Sequence, residues 1–235
     1  MGKNKLKRFA ENTTFPNLIQ PKLNEVFRTD YSLKGKWNET YFHNENPIVL
    51  ELGCGKGEYT VGMAKMFPNK NFIGIDIKGA RMWRGAKTAH ENKMSNVAFI
   101  RTRIEHVSSF FSANEVSEIW ITFPDPQLKR INSLKRLTSS SFLSLYKTLL
   151  RPQGLIHLKT DCIALHRYTR SLVDLNNLKI HTSTEDLYGN GIEDQILTIK
   201  TFYEEKFLVQ NLPITYICFE LSNEQPLIEY KYQRT

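Results

Sequence analysis

The ten residues Ile48–Gly57, IVLELGCGKG, decide the fold. Ile48–Leu52 is a largely apolar run of strand length. Glycines at 53, 55 and 57 then make a turn whose backbone can bend tightly and approach a ligand that side chains would exclude. A helical stretch follows, ending near Phe67-Pro68. The same unit recurs downstream. Phe72–Asp76 (FIGID) precedes a helical stretch to about Asn92, and Val97–Arg101 is a third strand before a short helical segment around Ile104–Phe111. Glu118–Thr122 (EIWIT) is a fourth. Thr138–Leu150 carries Phe142, Leu145 and Leu149 along one helical stripe, and Arg151-Pro152-Gln153-Gly154 reads as a helix end and turn. Leu155–Lys159 is a fifth strand, Ile163–Leu175 a helix and Leu178–Ser183 a sixth strand. Residues 185–197 read as an exposed excursion, Thr201–Val209 as a helix and Ile214–Leu221 as a final strand. This alternation predicts one doubly wound α/β domain with a mostly parallel sheet over residues 48–235. Residues 1–47 are polar and irregular, and read as a basic N-terminal arm with a short lead-in segment.

With 235 residues, 40% hydrophobic and 24% charged, the chain can bury one sizeable core of ordinary soluble composition. No apolar run approaches a membrane span. Met1–Arg8 carries four basic residues but is followed by Phe9-Ala10-Glu11-Asn12, so it does not read as a signal peptide. Cys54, Cys162 and Cys218 are too scattered for a disulfide framework. Neither they nor the six histidines show metal-ligand spacing, and a reducing, cytoplasmic setting is expected. The net charge is +8, with basic residues gathered at Lys3-Lys5-Lys7-Arg8, Arg81-Arg84-Lys87, Lys129-Arg130 and Lys135-Arg136. Such an excess attracts polyphosphates and makes RNA a serious candidate partner.

Ile121–Arg130, ITFPDPQLKR, places Asp125 between two prolines where EIWIT ends. Pro124 and Pro126 forbid further strand pairing and stiffen the backbone between them. Ligands bind at the carboxyl ends of strands in open α/β sheets, so an acid held there ahead of Lys129 and Arg130 suits a polar group on a polyanion. The alternative is an exposed aspartate in a proline-rich loop. The glycine turn also serves two cofactor classes. A dinucleotide site wants a small residue at position 58, yet Glu58 stands where a pyrophosphate would rest. Asp76, 19 residues after Gly57, can accept ribose hydroxyls of either cofactor class.

The run from Glu51 to Gly57 resembles the first motif of class I S-adenosylmethionine-dependent methyltransferases. That resemblance implies a Rossmann-like fold, with Gly53, Gly55 and Gly57 under the cofactor, Glu51 near its ammonium group and Asp76 at its ribose. With that loop upstream, FPDPQLKR resembles the bacterial tRNA (guanine-N7)-methyltransferases. His157–Asp161 (HLKTD) and Lys200–Phe207 (KTFYEEKF) resemble two further elements of that family, so four ordered motifs span roughly residues 48–221. The implied reaction is methyl transfer to N7 of a guanosine at position 46, in the tRNA variable loop, without a metal. Asp125 corresponds to the active-site acid, and Lys129, Asp161, Thr201, Phe202, Tyr203 and Glu204 to the substrate-contacting set. Two departures stand out. The family commonly continues its PDP with Trp-Pro-Lys-Lys-Arg-His, where this chain has Gln127-Leu128-Lys129-Arg130-Ile131-Asn132. An acid usual near the adenine is replaced by Arg103, with Glu105 two residues on, which leaves adenine to the backbone or to Arg103.

Guanine N7 carries a free lone pair, so its methylation needs positioning and electrostatic support rather than a base. Asp125 is expected to face the purine as it becomes cationic, or to orient it. Asp161 and Glu204 are candidates for guanine N1–H and N2–H₂, and Tyr203 either stacks on a base or packs. The arm and the Lys129-Arg130/Lys135-Arg136 segment are expected to hold tRNA phosphates. Competing expectations are a non-catalytic tRNA-binding protein on the same fold, and a nicotinamide-dependent oxidoreductase, which Glu58 disfavours. An exocyclic-amine methyltransferase would carry a second proline and an aromatic after its Asp-Pro. A monomer and a homodimer both stay open.

Overall fold

In the computed structural model, which describes residues 2–191, 194–210, 212–221 and 225–230, eight strands form one sheet. They are β1 (Leu18–Ile19), β2 (Ile48–Leu52), β3 (Asn71–Asp76), β4 (Val97–Arg101), β5 (Val116–Thr122), β6 (Leu150–Thr160), β7 (Ile180–Thr184) and β8 (Thr215–Glu220). Their spatial order is β1-β4-β3-β2-β5-β6-β8-β7. The first six pair in parallel, and β8 is antiparallel to both β6 and β7. The helices are α1 (Gly2–Asn12), α2 (Glu58–Met66), α3 (Gly79–Glu91), α4 (Ser140–Lys147), α5 (Ile163–Leu175) and α6 (Phe202–Val209).

Side chains alternate across a strand, so each strand feeds two cores. Ile48, Leu50 and Leu52 pack with Leu143 and Tyr146 of α4 and Leu165 and Leu172 of α5. Val49 on the opposite face packs with Tyr59 and Met63 of α2 and Met82 and Ala86 of α3. The sheet is therefore covered on both sides, as a parallel sheet requires. Chain order reverses at β2, with β3 and β4 to one side and β5 and β6 to the other. That switch point opens a crevice at the carboxyl ends of β2 and β5.

Residues 2–47, expected to be irregular, instead join the fold. α1 docks on α3 through Asn12, whose Nδ2 donates to the Gly79 carbonyl (2.9 Å), and through Glu11, which accepts from Trp83 Nε1 (2.7 Å) and Lys87 Nζ (2.6 Å). β1 lengthens the sheet beside β4. Trp37, in a π-helical turn over Trp37–Phe42, is fully buried and donates its indole N–H to the Phe110 carbonyl (2.8 Å). Period counting missed these because each element is short or amphipathic through one or two aromatic anchors.

One more expectation is corrected. Arg151–Gly154 lies inside β6: Val116 pairs with Leu150 but Glu118 with Leu155, so the intervening residues bulge from the ladder. A bulge tolerates Pro152, which has no N–H to give. The described residues of the 185–197 excursion are mostly exposed, as expected, but Leu187, Ile196 and Leu197 are buried and anchor it to the α2–α3 side of the sheet; residues 192–193 lie outside the described residues. Among the described residues no helix is long and apolar enough to cross a membrane.

Candidate active site

The glycine turn after β2 adopts the conformation its composition demands. Gly53, Gly55 and Gly57 have φ of 77°, 55° and 71°, all in the left-handed region. At Gly57 space is also decisive, because a Cβ there would stand 2.6 Å from the Phe99 ring. Gly57 is thus fixed by packing at the start of α2, whereas Gly53 and Gly55 line the cleft.

Asp76 at the end of β3 holds this turn. Its Oδ2 accepts from the Gly55 N–H (2.9 Å) and its Oδ1 from the Lys78 N–H (2.7 Å). Glu51 is buried beneath the turn. One carboxylate oxygen accepts from the N–H (2.8 Å) and hydroxyl of Thr60, the other from the Thr122 hydroxyl (2.7 Å). Burial pushes its pKa up to about 7 despite these bonds, and the nearby charge of Asp76 adds to the rise.

A cleft of about 300 Å³ is lined by Glu51, Gly53, Gly55, Glu58, Asp76, Thr122, Phe123, Asp125, Gln127 and Thr201, among others. A second space of about 810 Å³ adjoins it, sharing Gly53, Asp76, Gln127, Lys135 and Leu137 and extending to Arg103, Glu105 and the apolar Ile77, Ile104 and Phe142. Glu51, Gly53, Gly55, Asp76, Asp125 and Thr201 are therefore brought together, with Arg103 at the far end. Glu58 opens α2, and its carboxylate accepts from the Phe202 N–H (3.1 Å) and lies 3.6 Å from Lys56 Nζ. A pyrophosphate at that helix terminus would meet this acid, so the donor set fits a cofactor without phosphates.

Asp125 sits in the loop leaving β5, exposed towards the cleft, and its Oδ1 accepts from the Gln127 N–H (3.1 Å). Phe123 and Gln127 flank the proline-bounded acid with φ of 47° each, a conformation that costs non-glycine residues on the order of 1–3 kcal/mol. Surrounding bonds hold it. The Phe123 N–H donates to the Lys159 carbonyl (2.8 Å). Arg136 Nε donates towards the carbonyls of Pro126 and Gln127 (3.3 Å each), and its guanidinium lies 4.2 Å from the Tyr168 ring centroid. Arg136 was expected to face RNA phosphates. It is buried instead and clamps the Asp125 loop, a role that its place in a Lys-Arg pair concealed.

Glu204 stands in the first turn of α6. Its carboxylate is wholly buried, 2.7 Å from Lys159 Nζ, accepts from the Tyr188 hydroxyl (2.5 Å) and closes a capping box with Thr201 at the start of α6. These bonds are all made within the chain. Lys159, also fully buried, donates further to the carbonyls of Leu197 (2.9 Å) and Ile199 (3.3 Å). Burial pulls its pKa down and Glu204 opposes the fall. This hub fastens the segment before α6 to the sheet. Phe202 is partly exposed under Lys56 Nζ (3.7 Å) and Lys206 Nζ (4.3 Å). Tyr203 belongs to α6, but its side chain lies outside the described residues. Asp161 is half-buried at the end of β6 with its pKa raised by desolvation, and Lys129 is exposed just before a 3-10 helix over Arg130–Lys135.

Strand order, glycine turn and following acid together define a class I methyltransferase fold. The crystal structure of the 16S rRNA methyltransferase KamB superposes with a TM-score of 0.60 at 14% identity, covering 79% of this chain and 92% of that one. A family profile described as a putative methyltransferase matches residues 45–217. The tRNA (guanine-N(7)-)-methyltransferase of Bacteroides thetaiotaomicron is 50% identical over 229 residues, covering 97% of this chain and 90% of its own. That of Christiangramia forsetii is 54% identical over 221 residues, covering 94% and 99%. The chain belongs to the tRNA (guanine-N7)-methyltransferase family.

Proposed function

We propose that this protein methylates N7 of a guanosine in tRNA, at position 46 of the variable loop, with S-adenosylmethionine as donor. The observation that carries this reading is the convergence of Asp125, on its clamped loop, with Glu51, the glycine turn and Asp76 in one cleft. The residues suit the donor. Gly53 and Gly55 offer backbone for close approach, Asp76 suits ribose hydroxyls, and Ile77, Ile104 and Leu137 give an adenine an apolar wall beside Arg103. A carboxylate has about four lone-pair sites. Three are used at Glu51, which leaves one for an ammonium group.

When bound, S-adenosylmethionine supplies a methyl group made electrophilic by its sulfonium. The chain's own contribution is placement and charge. Asp125 stabilises the purine as it turns cationic, and needs no proton transfer because N7 has none to lose. Its two φ-strained neighbours and Arg136 keep it in place without reorganisation during reaction. Asp161 is the proposed partner for guanine's N1–H and N2–H₂ edge, and Lys129 and Phe202 contact the RNA. Basic residues of α1, with Arg81 and Arg84 of α3, meet phosphates.

The test is transfer of labelled methyl to tRNA followed by nucleoside analysis, comparing wild type with Asp125→Ala. N7-methylguanosine is expected from the wild type and at least tenfold less from the variant. Label in an exocyclic-amine product would overturn the reaction, and full activity in the variant would remove Asp125 from it. A tRNA-binding protein without catalysis would bind RNA yet transfer nothing.

A further inference from the structure

Beyond the clamped acid the chain carries exposed apolar side chains among the basic residues expected to hold phosphates. Leu128, Ile131 and Leu134 are 64%, 90% and 54% exposed, and they recur at three-residue intervals. Ile131 and Leu134 lie in the 3-10 helix Arg130–Lys135. Residues three apart eclipse one another in that geometry, so these two share one face. Single exposed apolar residues are ordinary, but three spaced along one short segment form a patch that folding alone does not explain. Leu134 and Lys135 also line the space adjoining the Asp125 cleft, so the patch stands at its mouth.

From Pro126 to Arg136 there is no acidic residue, and Lys129, Arg130 and Lys135 alternate with the apolar positions. Two copies of this segment packed face to face would bring like charges together. A nucleic acid offers the complementary arrangement, with base faces for the apolar groups and phosphates for the cations. A base cannot reach a cleft at the carboxyl ends of the strands while stacked within a folded RNA, and proteins that displace a base commonly insert an apolar side chain into the gap.

We propose that Leu128, Ile131 and Leu134 form a wedge that takes the stacking place of the target guanosine when it leaves the folded tRNA for the cleft beside Asp125. The inference rests on the tRNA reading above and specifies how the base is reached. The wedge fills the vacated gap while Lys129, Arg130 and Lys135 hold the flanking phosphates.

The experiment compares wild type, the triple variant Leu128→Ser/Ile131→Ser/Leu134→Ser and the conservative Ile131→Phe. Substrates are natural tRNA and the same tRNA substituted so that the target guanosine is already unpaired. The triple variant is expected to lose at least tenfold in kcat/KM on natural tRNA and less than threefold on the unpaired RNA, both measured at saturating S-adenosylmethionine because Leu134 lines the cofactor space. Ile131→Phe retains activity on both. With 2-aminopurine beside the target guanosine, wild type saturated with S-adenosylhomocysteine raises its fluorescence and the triple variant does not. Equal loss on both RNAs, unchanged activity, or a loss of self-association without any RNA effect would each overturn the wedge. Failure of the wild type to form N7-methylguanosine on either RNA would instead sink the underlying functional reading, and the wedge with it.

Discussion

Lys159 Nζ lies 2.7 Å from the Glu204 carboxylate, and neither side chain has any solvent-accessible surface. The pair joins β6 to the first turn of α6, and Lys159 also holds the carbonyls of Leu197 and Ile199. Ions this deeply buried are stable only while paired. Replacing Lys159 by Met leaves Glu204 uncompensated, and a loss of about 3–5 kcal/mol is expected in urea unfolding. Lys159→Met with Glu204→Leu restores much of that loss, since an apolar pair needs no desolvation. If the single and double variants are equally destabilised, the ion pair is not what fastens α6.

Glu51 predicts a pH dependence of opposite sign to the usual carboxylate. Its pKa is about 7 in the folded chain against 4.5 for an unperturbed carboxyl. Between those values the folded protein keeps a proton that the unfolded chain has released, so stability declines as pH rises through the window, by about 3 kcal/mol in total. Glu51→Gln removes that slope. An ammonium group brought to Glu51 favours its charged form, so binding of S-adenosylhomocysteine releases a proton and tightens from pH 5 to 7. Calorimetry in two buffers of different ionisation enthalpy measures the release, which is absent in Glu51→Gln.

The sheet and its helices were largely legible in the chain because parallel strands buried on both faces read as short apolar runs. Val97–Arg101 and Ile163–Leu175 match their elements end to end. The acid–glycine turn was legible for the same reason, since three left-handed positions leave glycine as the natural choice. Partnerships that depend on tertiary approach were not. Nothing local distinguishes Arg136 from the exposed Lys135, because the Pro126 and Gln127 carbonyls reach it only after the loop folds back. Likewise nothing local ties Glu204 to Lys159, 45 residues earlier in the chain.

His157 gives the acid limb. It stacks on Trp120 with ring centroids 3.9 Å apart, and its Nδ1 shares a hydrogen bond with the Tyr216 hydroxyl (2.8 Å). Burial lowers its pKa to about 4, against a partial opposing pull from Glu118. The unfolded chain takes up a proton below its ordinary 6.5 while the folded chain refuses it. Stability is therefore lost as pH falls from 6.5 to 4, by about 3 kcal/mol. In the same window Glu51 contributes with the opposite slope. Unfolding free energies from pH 4 to 7 are expected to fall more steeply towards acid in Glu51→Gln and less steeply in His157→Phe. Identical profiles in the three proteins would remove both assignments.

Arg136 separates positioning from phosphate binding. A lysine at 136 keeps the charge but cannot span two carbonyls as a planar guanidinium does. Released from the clamp, the loop relaxes its left-handed residues and Asp125 is held less firmly. The expectation for Arg136→Lys is a fall in kcat on the order of tenfold to a hundredfold, as for loss of one preorganised polar contact to developing charge. The affinity for S-adenosylhomocysteine stays within threefold, because Glu51 and Asp76 keep their own bonds. Salt titration of tRNA binding provides the control. Removing a cation that contacts phosphate lowers the slope of log affinity against log salt by about 1. Arg136→Ala should leave that slope unchanged while Lys129→Ala lowers it. A reduced slope in Arg136→Ala would place the guanidinium on RNA after all.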